Sequence, residues 1–258
     1  MRLVHYLIIN SIIFLFDSNT IKFVVQIKSL NIIQLYKLEL NEHLYVRDPQ
    51  ETELGRNIIG ESILLIEELG FELFTFKKLA LRIDSVEASI YRYFENKIQL
   101  LSYLVAYYWK WLDFKVSFAI NNIHSAEEKL KLTLKLIVDP SQESGLKPYL
   151  NEIKLYKIVA NESLKSFFNK EVDQNNKEGF FLDYKRFCGK IAAMMLELNP
   201  SFAYPNALAS MILEAAHHQI YYAEHLPKLT NLDGREKIKS LINFLECVLF
   251  SALKNKSE

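Results

Sequence analysis

The chain has 258 residues, half of them apolar, with 31 basic and 31 acidic side chains and a net charge of zero. It is long enough for one large core or two domains, and no global field draws it to nucleic acid or membrane. Only 7 Gly and 6 Pro punctuate it, and the abundance of Leu, Ile, Lys and Glu favours long helices over strands.

Residues 1–40 stand apart. Leu3 to Phe16 is nearly all apolar, broken by His5, Asn10 and Ser11. It is short for a transmembrane helix, and no small-residue cleavage site follows it. Ile21 to Leu40 is β-branched and apolar without a clean period. Three readings stay open: a misassigned start, a weakly ordered extension and a membrane anchor. The Ile, Asn and Lys richness suits the first.

Capped structure begins at Asp48-Pro49-Gln50-Glu51, with Asp as cap, Pro at the first helical position and Glu three residues after the cap. Leu54, Ile58, Leu65 and Leu69, with Ile59, Ile63 and Ile66, form an apolar stripe. Gly70 is placed to end that helix at positive φ.

Phe74 to Lys97, FTFKKLALRIDSVEASIYRYFENK, reads as two short helices joined by a tight turn. Thr75 is the cap of the first. Phe76, Leu79, Ala80 and Ile83 fall at helical spacing on its buried face. Asp84 and Ser85 supply turn chemistry. Val86, Ile90 and Phe94 anchor the second helix. Glu87, Ala88, Tyr91 and Arg92 lie away from that stripe. Ala88 lets a helix approach base edges, and tyrosine hydroxyls and Lys97 suit phosphate.

This run resembles the amino-terminal domain of the tetracycline-repressor (TetR) family, through Phe74-Thr75-Phe76, Leu79-Ala80, Ile90-Tyr91, Tyr93-Phe94 and Lys97. Asp84 stands where the family usually has Gly, and Val86 where it has Ser or Thr. The resemblance implies an all-α fold, with a three-helix helix-turn-helix domain over 41–97 and a helical ligand-binding and dimerisation domain over 98–258. It implies DNA contacts from Thr75, Lys77, Glu87, Ala88, Ser89, Tyr91, Arg92, Tyr93 and Lys97. The implied partners are a palindromic double-stranded operator, a second copy of the chain and a small-molecule effector. It implies no enzyme activity, no cofactor, no metal and no membrane, in a cytoplasmic protein.

Charge tempers the DNA reading. Between Pro49 and Lys97 the bases are Arg56, Lys77, Lys78, Arg82, Arg92 and Lys97, against nine acids that sit mostly on the first helix. Phosphate neutralisation supplies much of DNA affinity, so this balance implies modest non-specific binding. The alternative is a helical dimeric sensor or protein-interaction module with a degraded reader.

Helices continue to the C-terminus. Asn96 caps one to about Ile120, and Ser125-Ala126-Glu127-Glu128 is a capping box opening another to about Val138. Asp139-Pro140, Ser144-Gly145 and Pro148 mark a loop. A helix over about Tyr149–Ala160 precedes a shorter one, and Gln174–Gly179 is a polar break. Further helices run over about Phe180–Leu198, Pro205–His225 and Arg235–Lys254. Tyr107, Trp111, Phe114, Tyr156 and His218 are the candidate effector pocket, although ordinary core is a slightly better account of the aromatics. Leu241, Phe244, Leu245, Val248 and Leu249 are the candidate dimer stripe. Glu214, His218, Tyr221 and His225 share a helical face, yet such a stripe needs only hydrogen bonds, so no metal is assigned. Cys188 and Cys247 read as buried thiols.

Overall fold

Caps and apolar periodicity account for most element boundaries. The computed structural model describes residues 37–139, 149–232 and 236–254. The described residues are all-helical, with α1 Glu53–Leu69, α2 Phe76–Arg82, α3 Glu87–Tyr91, α4 Lys97–Ile120, α5 Ala126–Val138, α6 Glu152–Glu162, α7 Leu164–Phe167, α8 Val172–Lys177, α9 Leu182–Leu198, α10 Pro205–His225 and α11 Lys237–Lys254. The apolar segment from Leu3 to Phe16 and the Pro140–Pro148 loop lie outside the described residues.

Asp48 caps a single 3-10 turn, Pro49–Glu51, rather than opening α1. The chain then restarts at Thr52, whose hydroxyl accepts from the Gly55 N–H at 2.9 Å. Gly55 permits this break. A Cβ there would lie 2.3 Å from the Pro49 carbonyl oxygen, so only glycine lets the turn fold back on the helix. α1 ends at Gly70 with φ +76°, as its position suggested. The expected start of the folded unit moves upstream. Leu38 is buried, and its backbone N–H and carbonyl both bond the Gln50 side chain.

α4 is buried on nearly every face, as befits a helix apolar all round. Asn96 caps it by accepting from the Gln99 N–H at 2.9 Å. α5, α6, α7 and α9 pack around it, while α9 packs on α10 and α10 on α11. The expected polar break at Gln174–Gly179 is instead mostly the short helix α8, with Gly179 following it at φ +83°.

α11 corrects one expectation outright. Leu241, Leu245 and Leu249 are buried within the same chain, against α5 and α10. Phe244 is 47 % exposed and Val248 half-buried. The stripe seen in the sequence is therefore two faces. Leucines four residues apart hold the helix to its own core, and Phe244 lies on the outward side.

α6 joins the body to α1. Lys154 reaches Glu67 at 2.8 Å, and its hydrogen bond draws that carboxyl below the usual range. Lys165 bridges Glu72 and Glu162, each at 2.8 Å. Glu162 also accepts from the Phe71 backbone N–H at 3.1 Å.

Candidate nucleic-acid interface

The helix-turn-helix is built from α2, a tight turn and α3. Thr75 caps α2 as its sequence position implies, accepting from the Lys78 N–H at 3.2 Å. Phe76, Leu79 and Ala80 are buried. The turn is closed by the Ser85 N–H donating to the Ala80 carbonyl at 2.9 Å. Asp84 takes φ +49°, the left-handed region that explains why the resembling family favours glycine there. Aspartate tolerates it better than most side chains.

α3 begins at Val86, which makes no side-chain capping bond, and spans only Glu87–Tyr91. Ile90 and Phe94 are fully buried and anchor it. Val86 does not join them: it is 65 % exposed at the N-cap, before the first turn of α3. Ala88, Tyr91 and Arg92 are exposed, with Glu87 and Ser89 half-buried. The Tyr91 ring meets Phe76 edge-on at 5.1 Å, which orients its hydroxyl outward, 3.4 Å from Glu87. Thr75 and Lys77 are exposed on α2.

Two expected phosphate contacts are placed otherwise. Tyr93 is 3 % exposed, and its hydroxyl shares a 2.7 Å hydrogen bond with Thr52. It ties α3 to the start of α1 instead of facing outward. The Lys97 ammonium donates to the carbonyls of Phe71 and Glu72, each at 3.1 Å, and lies 4.8 Å from the Phe71 ring centroid. It closes the α1–α2 loop. Neither partner is readable from local pattern, since both lie more than twenty residues away.

Electrostatics narrows the cationic set further. Arg82 is clamped by Glu61 at 2.6 Å and by both oxygens of Glu68 at 2.6 and 3.0 Å. Its hydrogen bonds to Glu68 and then Glu61 push its pKa up. Lys78 donates to the Leu73 carbonyl at 2.8 Å. Lys77 and Arg92 form no ion pair among the described residues. Sequence reasoning missed Arg47. It is exposed, its guanidinium lies 5.8 Å from the Tyr93 ring, and its neighbour Val46 donates to the Tyr93 carbonyl at 2.8 Å. It precedes the first cap and lies outside the motif helices.

The candidate effector residues do not converge as a set. Tyr107, Trp111 and Tyr156 are buried and Phe114 half-buried, with Trp111 stacked on Phe114 at 5.5 Å. His218 is half-exposed, 3.9 Å from Glu214 and stacked on Tyr222. Its neighbour His217 is the imidazole that meets Tyr156. His225 lies against Tyr221 at a tilt, and among the described residues no three His, Cys, Asp or Glu side chains group as a metal site. Cys188 is buried, and burial pushes its thiol up to about 11, the reverse of an activated nucleophile. Cys247 is exposed, not buried as expected, because it lies on the outward side of α11. Among the described residues, no helix is long and apolar enough to cross a membrane.

No protein-family model matches the chain, and no curated protein matches it. Solved structures do. AibR in complex with isovaleryl coenzyme A and operator DNA superposes with a TM-score of 0.53 at 17 % identity, over 76 % of this chain and 98 % of that one. The fatty acid degradation regulator FadR from Bacillus halodurans gives 0.53 at 18 %, over 75 % and 96 %. The superantigen PfiT gives 0.51 at 14 %, over 80 % and 97 %. At these identities the likeness concerns the fold alone, an all-helical one that this chain shares with the regulators AibR and FadR.

Proposed function

We propose that this chain is a TetR-family transcriptional regulator that binds operator DNA through α2 and α3. The observation that carries this reading is the division of α3: Ile90 and Phe94 are buried, while Ala88, Tyr91 and Arg92 are exposed. A small side chain, a hydroxyl and a guanidinium together suit base edges and phosphate. Lys77 and Arg47 extend the cationic set. The AibR structure, which contains operator DNA, shares this fold and supports the reading. On this reading the protein works in the cytoplasm and its role is regulatory, not enzymatic.

The protein acts as a homodimer, because two readers one DNA turn apart recognise a palindrome. Phe244 on α11 and Met211 and Tyr204 at α10 are exposed apolar side chains that a second copy would cover. The body is an effector domain whose ligand releases DNA, which makes the regulator a repressor. The AibR structure holds isovaleryl coenzyme A in the same fold.

A second reading has its own observation. Leu73, Leu81 and Val86 are exposed apolar side chains on the reader, next to an acidic α1. That surface suits a protein partner. Titration of the chain with its own upstream DNA at rising salt separates the two. A regulator binds with a log–log salt slope of several phosphates. Absence of salt-dependent binding favours the protein partner.

A further inference from the structure

The body buries polar atoms that its own side chains leave unsatisfied. His217 of α10 is 2 % exposed, and its ring lies 5.4 Å from Tyr156, 5.6 Å from Trp109 and 6.1 Å from Tyr108. These residues come from three helices, α4, α6 and α10, and form a closed aromatic box. His217 Nε2, the Tyr156 hydroxyl and Trp109 Nε1 have no hydrogen-bond partner among the described residues. Buried polar atoms are nearly always paired, so three orphans in one contact cluster call for an explanation.

Their chemistry defines what would satisfy them. An indole N–H only donates, so Trp109 requires an acceptor. The Tyr156 hydroxyl donates or accepts, and a neutral imidazole offers one of each. Tyr184 meets Trp109 at a tilt, with ring centroids 4.7 Å apart, and donates to Glu214 at 3.2 Å, which brings a carboxylate to the edge of the box. That charge works against an anion. Ser102, whose hydroxyl is also unpartnered, and Trp109 line an adjoining chamber of about 10 Å³. This is space for about one water, so a larger guest requires a ring to move.

We infer that the box around His217 binds a small uncharged molecule with an apolar or aromatic body and a carbonyl oxygen, which accepts from Trp109 and Tyr156. This rests on the reading of the body as an effector domain and names the chemistry of the effector. The ring faces supply the apolar walls, as in most ligand sites, and the few polar atoms fix orientation.

The test uses the full chain with Trp111→Phe, so that the emission comes from Trp109, the other of the two tryptophans. Benzamide, acetophenone and cyclohexanone are the neutral carbonyl probes. Benzoate is the anionic and toluene the apolar counterpart of benzamide. Neutral carbonyl probes should shift the Trp109 emission and raise Tm at millimolar concentration, with benzoate at least about tenfold weaker. Tyr156→Phe removes an unpartnered hydroxyl at nearly constant volume, so the chain should fold as well as before. It should weaken benzamide about tenfold and leave toluene unchanged. If none of the three carbonyl probes binds, or if all five bind alike and Tyr156→Phe alters none, the box is a water-satisfied core and the inference falls. DNA release is read in parallel. Benzamide binding without release keeps the site and removes its regulatory role. Release by other molecules, with no probe held by the box, removes the site and leaves the regulator intact.

Discussion

Asp84 occupies a left-handed turn at φ +49° that glycine enters without strain. Asp84→Gly should therefore raise stability by about 0.5–1 kcal/mol, the strain relief exceeding the added freedom of the unfolded chain. Denaturant titration checks it through a higher midpoint at constant m-value. His217 makes the opposite kind of statement. Burial, with a smaller contribution from His218, pushes its pKa down to about 3. The unfolded chain binds that proton near pH 6.5, so unfolding is favoured as pH falls below 6.5 toward 3. The contribution is fully present above pH 6.5. Stability should fall by about 1.4 kcal/mol per pH unit between pH 6 and 5, above the range where the paired carboxylates titrate. In His217→Gln this slope should vanish, and its persistence would assign the acid sensitivity elsewhere. On the DNA side, Tyr91→Phe should weaken every site alike by about 1 kcal/mol, through one lost phosphate hydrogen bond. Arg92→Ala should change sequence preference if its guanidinium reads a base. Lys97→Ala should act on the α1–α2 loop instead, lowering Tm, because its ammonium holds the Phe71 and Glu72 carbonyls.

At the level of elements, α3 is the weakest designed start in the reader. Val86 occupies its N-cap without a side-chain bond, and the helix has five residues. Val86→Thr supplies the missing acceptor and should stabilise the chain by about 1 kcal/mol. A Tm unchanged by the substitution would mean that the start of α3 is set by Ile90 and Phe94 alone. The caps explain what was legible in advance. Thr75, Asn96 and Ser125 each accept from the backbone N–H three residues on, which is local chemistry visible in sequence. Pro205 opens α10 as its fixed φ favours. Tyr93 and Lys97 were misplaced because their partners, Thr52 and the Phe71–Glu72 carbonyls, come from another helix and loop. Periodicity shows that Leu241, Leu245 and Leu249 share a face, but not whether that face meets its own core or a second copy. Whether His217 or His218 takes part in a site is open in the sequence for a related reason. Adjacent histidines point in different directions, and only packing decides which one enters the core.

At the scale of the whole molecule, the reader and body meet through α1 and α6, where Glu67, Glu72 and Glu162 are bound by Lys154 and Lys165. A ligand in the body that displaces α6 would move α1, and with it the reader. In the proposed homodimer, the second copy would supply the other half of the recognition unit. Leu245→Glu buries an unpaired charge inside the chain and should unfold it, at a cost of several kcal/mol. Phe244→Glu lies on the outward face and should separate the dimer while leaving a folded, helical monomer. Light scattering with circular dichroism distinguishes these outcomes, and a dimeric Phe244→Glu protein would move the interface elsewhere. Since one reader contacts only a half-site, the monomeric variant should lose most of its operator affinity. The central claim is that this fold reads DNA, and selection of bound duplexes from a random pool by the full chain tests it most directly. The account predicts enrichment of a palindrome whose half-sites lie one helical turn apart, abolished by combining Lys77→Ala, Tyr91→Phe and Arg92→Ala. A pool that yields no enriched sequence, or enrichment that survives the triple substitution, would contradict it.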